Sequence, residues 1–77
     1  MKVLKQSEVV KSLMSDARAY ALDAMDEQDE LTRNLIRGMA TGTYLAALRV
    51  CALSGFDLIT TQRLCGKKNP LELVGAQ

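Results

Sequence analysis

The residues able to do chemistry in this chain are few. Cys51 and Cys65 are the only cysteines, and histidine is absent. Two thiols without a histidine cannot complete a four-ligand zinc site within one chain. Neither Cys51 nor Ser54 has an evident base to activate it as a nucleophile, and no glycine-rich phosphate loop occurs. Carboxylates are more concentrated: Asp16, Asp23, Asp26, Glu27, Asp29 and Glu30 fall in one stretch. Paired carboxylates can do acid–base work or hold a divalent ion, but no nucleophile or basic group is placed among these to shift their pKa values. They read as a solvated face, with Asp23, Asp26 and Glu30 as candidates for contacting a basic protein partner. No catalysis, metal or cofactor is expected.

A second pattern concerns assembly. Gly38, Gly42 and Ala46 recur every four positions in the middle of the longest helical run. Glycine inside a helix costs about 1 kcal/mol against alanine, so two on one stripe call for an offsetting gain. Close approach of another helix supplies one, because no side chain stands in the way. Leu31, Leu35, Gly38, Gly42, Leu45, Ala46 and Leu53 are therefore the candidates for a helix-packing or dimer interface.

These residues sit on elements set by apolar spacing. Val10, Leu13, Met14, Ala17, Tyr20, Ala21, Ala24 and Met25 recur at helical intervals, with Ser7 as the expected N-cap. Asp26-Glu27-Gln28-Asp29-Glu30 interrupts that face and predicts a turn, Asp26 capping a long central helix over about 29–54. Without a turn, Val10, Met14, Ala17, Ala21, Ala24, Gln28, Leu31, Leu35, Gly38, Gly42 and Leu45 would hold a heptad frame along one continuous helix. From Met39 to Leu53 the helix is apolar nearly all round, which predicts a hub buried on several sides. Gly55 is a natural helix end, Asp57 caps a short third helix ended by Gly66, and Pro70 follows Asn69 as a helix start. Leu71, Leu73 and Val74 would supply a last turn. Cys51 is expected in the core, and Cys65, near a helix end, to be more exposed.

Two readings of function remain to be weighed against simple packing. Gly38 to Phe56 carries one charge, Arg49, and a GxxxG, so a membrane span has to be considered. Arg49 deep within it, at about 2.5–3.5 kcal/mol near mid-bilayer, argues for packing in water instead. Around Gly55, small Cys51 and Ser54 precede the turn, Phe56 follows it, and Leu64 lands nine positions on. This segment, about 47–66, resembles repressor-type helix-turn-helix motifs over some 20 residues, except that Thr61 occupies a position normally apolar. The resemblance would make Thr60, Gln62 and Arg63 base-reading residues, with Lys67 and Lys68 on phosphates.

Totals bound the answer. At 77 residues and a net charge of +1, the chain is one helical domain near the lower limit for a self-sufficient core, and no obligate polyanion binder. The start, Met1-Lys-Val-Leu-Lys-Gln, has no apolar run of the kind a secretory signal needs, and a reducing cytoplasm is expected. The sequence thus predicts an all-α bundle of three main helices completed by homodimerisation. Its expected function is a non-catalytic interaction module that binds or occludes a protein partner, by analogy with small phage- or plasmid-type accessory proteins. The alternative is a small DNA-binding transcriptional regulator.

Overall fold

The chain turns back on itself at the acidic stretch instead of running through it as one helix. The computed structural model describes residues 5–73, which form α1 (Gln6–Asp26), α2 (Glu30–Leu53), α3 (Leu58–Cys65) and α4 (Pro70–Leu73), with no strand among them. The continuous 40-residue helix is thereby excluded. Val74 and the tail after it lie outside the described residues.

Local chemistry explains the boundaries. At the start of α1 the N-cap is Lys5 rather than Ser7. Lys5 has no acceptor to offer, but the Glu8 carboxylate reaches back to accept from the Lys5 N–H at 3.4 Å. Asp29, not Asp26, caps α2: its carboxylate accepts from the Thr32 N–H at 2.9 Å and from the Thr32 hydroxyl at 2.6 Å. Asp26 instead ends α1. Arg33 locks the corner from inside α2, its Nε donating to the Glu27 carbonyl at 2.9 Å.

The end of α2 is a Schellman motif. Gly55 takes φ +73°, the Gly55 N–H donates to Ala52 O and the Phe56 N–H to Cys51 O. That left-handed position favours glycine, and the chain it redirects delivers Phe56 onto the core. Asp57 then caps α3 through Thr60 N at 2.7 Å, and Gly66 at φ +75° ends it. Asn69 accepts from Leu71 N to start α4 and donates to the Thr41 hydroxyl at 3.2 Å, fastening α4 to α2.

α1 and α2 form an antiparallel hairpin with two apolar clusters along its seam. Val10 and Met14 meet Ala47, Cys51 and Cys65 at one end, while Ala21 and Ala24 meet Ala40 and Leu71 at the other. Among the described residues, five of the ten buried hydrophobic residues other than Pro70 are alanines, so the helices approach closely but remove little area from water per residue. The described residues measure 39 × 30 × 15 Å. The shape is therefore flattened, with its shortest dimension well under half its longest.

Candidate interaction surface

α2 was expected to be buried on several sides, yet only Ala40, Ala47 and Cys51 are buried along it. At 3.6 residues per turn, Leu31, Leu35, Gly38, Gly42, Leu45, Ala46 and Leu53 share an arc of about 100° on the far side of the helix. All seven are exposed, and the four leucines are 55–81% accessible. α1 takes the alanine side of α2 and leaves the leucine–glycine side open. A Cβ placed on Gly38 or Gly42 would meet no other atom within 4 Å, so nothing in the same chain requires glycine there. The two glycines instead line an open groove of about 550 Å³ together with Thr41 and Leu45 of α2 and Leu71 of α4.

Arg49 lies on the same arc, four residues after Leu45, and is exposed in it. Sequence reasoning used Arg49 only against a membrane span; its spacing from Leu45 is the signal that places it in the stripe. Arg33 was missed altogether, because its role depends on the carbonyls of a corner that only folding creates.

The acidic candidates do not share a helix face. Asp23 and Asp26 stand exposed in the last turn of α1 and Glu30 in the first turn of α2, on either side of the corner. The Asp29 carboxyl lies below the usual range because the Thr32 hydroxyl and N–H both donate to it. Among the described residues no three metal-ligating side chains gather into a cluster.

Around Gly55 the apolar residues of the turn point inward: Cys51 is buried, and Val50, Phe56 and Leu64 pack against the same cluster. Thr60, Thr61 and Gln62 are half-buried, whereas Arg63, Lys67 and Lys68 are exposed. The first turn of α3 presents Leu58 and Ile59 to solvent, both about 70% accessible, where a base-reading helix would present polar groups. Cys65, expected to be the more exposed thiol, is buried against Cys51 with the two sulfurs 3.7 Å apart. α3 folds back over the end of α2 and carries Cys65 inside. Burial, reinforced by the Cys51 thiol, pushes Cys65 up to about 11. Both cysteines are free and buried, and Cys65 keeps its proton at neutral pH, which suits a packing role rather than a nucleophilic one.

No described helix is long and apolar enough to cross a membrane. No protein-family model, curated protein or solved structure matches this chain.

Proposed function

We propose that this protein is a non-catalytic helical interaction module that self-associates through the open face of α2 and binds or occludes a protein partner. The observation carrying this reading is the imbalance between core and surface. Among the described residues ten large apolar side chains are exposed, against a core half made of alanine. Patches of that extent on a small chain mark interfaces. Fully burying a leucine contributes about 1.5–3 kcal/mol, so the four stripe leucines of two copies, each about two-thirds exposed, would contribute roughly 8–16 kcal/mol. Association itself costs about 4–15 kcal/mol. Burial of the stripe is thus of the same size as the cost it has to offset. Leu22 and Met25 on α1 remain for a partner near the exposed carboxylates of Asp23, Asp26 and Glu30, and Leu58 and Ile59 on α3 remain at the other end of the hairpin. The two free thiols suit a reducing compartment such as the cytoplasm.

Light scattering at micromolar concentration tests the reading, with a dimer mass expected and a monomer mass counting against self-association. Duplex-DNA binding measured across a salt series tests the helix-turn-helix alternative. Steeply salt-dependent binding that the Arg63→Ala, Lys67→Ala, Lys68→Ala variant abolishes would replace the interaction module with a DNA-binding regulator.

A further inference from the structure

We infer that α2 carries an antiparallel dimer seam in which Gly38 of each copy packs against Gly42 of the other. The inference rests on the self-association proposed above and assigns it a face, an orientation and a register. Leu31, Leu35, Gly38, Gly42, Leu45 and Arg49 follow one another at intervals of four and three residues, all exposed. That is the a/d spacing of a coiled coil. The same frame runs through Val10, Met14, Ala17, Ala21 and Ala24, where α1 uses it against the other side of α2. Only the α2 half is left without a helix upon it.

Charge decides the occupant and its direction. In a parallel pair every seam residue meets its own copy, and Arg49 would stand against Arg49. In an antiparallel pair centred between the glycines, Leu35 meets the partner's Leu45, Gly38 meets the partner's Gly42, and Arg49 lies across from the partner's Leu31. There Arg49 reaches the start of the partner's α2, where the exposed Glu30 opens the helix and the exposed Asp26 closes α1 across the corner. One end of α2 thus carries the cation and its other end lies at the carboxylates that receive it, an arrangement that a second copy completes only when reversed. The glycine layers at the centre let the backbones touch, and the leucine layers outside them close the seam.

An equal mixture of carbon-13-labelled and unlabelled chain, read by isotope-filtered NOE spectroscopy, tests the register on the unaltered protein. Contacts between the methyls of Leu35 and the partner's Leu45 are expected. A dimer that gives Leu35–Leu35 contacts, or none between Leu35 and Leu45, overturns the antiparallel seam while self-association stands. A monomer at the same concentration overturns both. Gly42→Leu supplies the second measurement, because a Cβ at Gly42 meets nothing within 4 Å in the same chain. It should keep its helical signal and raise the dimer dissociation constant by about tenfold or more. An unchanged dissociation constant in a folded Gly42→Leu protein would place the interface elsewhere.

Discussion

Cys65 and Met14 show how little side-chain volume this fold holds inside, and both are open to direct measurement. With its thiol near 11 and its sulfur 3.7 Å from that of Cys51, Cys65 should resist alkylation at neutral pH until the chain unfolds. The same shift has a consequence for stability. The unfolded chain loses the thiol proton near the ordinary value of 9.0, whereas the folded chain holds it to about 11. Stability is therefore complete below about pH 9 and declines between 9 and 11. The Tyr44 phenol, also raised by burial, adds to the decline, while Arg18 opposes it slightly by favouring the thiolate. Denaturant melts at pH 8 and 10.5 measure the drop, and an equal midpoint at both would refute it. Met14 is the largest fully buried side chain. Met14→Ala should cost about 2–5 kcal/mol in the same melts, a large share of the stability of so small a domain.

At the scale of elements, the corners hold the fold in register. Gly55 takes a conformation that side-chain-bearing residues adopt at a cost of about 1–2 kcal/mol, so Gly55→Ala should destabilise by that order. The loss has a structural signature, because Phe56 leaves the core when the Schellman hydrogen bonds break. Phe56 methylene or ring resonances moving toward free-chain positions would report it. Asp29 and Asp57 act as caps with carboxyls held below the ordinary 3.8, in each case by hydrogen bonds from the threonine three residues on. A depressed carboxyl contributes stability above its unfolded value and loses it as pH falls through the folded one. Melting temperatures of Asp29→Ala and Asp57→Ala should therefore lie below the parent at pH 7 and approach it as the pH falls below the ordinary carboxylate range. A constant gap across that range would mean that the charge on these caps does not matter.

For the whole molecule, α2 buries only its alanine side and leaves the leucine–glycine stripe exposed. The melting temperature should consequently rise with chain concentration, as mass action requires when only the folded form associates. Gly42→Leu separates the two contributions with opposite signs. It should remove the concentration dependence and at the same time raise the stability of the isolated chain by about 0.5–1 kcal/mol, because leucine is the better helix former. Circular-dichroism melts of both proteins at several concentrations read both effects. A concentration-independent parent would leave the open face of α2 without a role in self-association.

What the sequence by itself determined is the set of elements, because their causes are local. Apolar spacing marks the helices, and Asp57, Gly55, Gly66 and Pro70 mark their ends through hydrogen bonds and φ angles that involve only near neighbours. Even the two misplaced caps, Ser7 for Lys5 and Asp26 for Asp29, miss by two or three residues, because several side chains in each stretch can serve and only the folded corner selects among them. Tertiary structure decided which face of α2 goes inside. Both of its sides are apolar, and nothing local ranks Ala40, Ala47 and Cys51 above Leu31, Gly38 and Leu45. The hairpin chose the alanine side, where α1 offers alanines of its own and two helices can close without voids. That choice also decided the break at Glu27–Asp29, which no residue there compels, and the burial of Cys65, which waits on α3 closing over Cys51. It left the leucine–glycine stripe outside because one small chain has no third long helix with which to cover it.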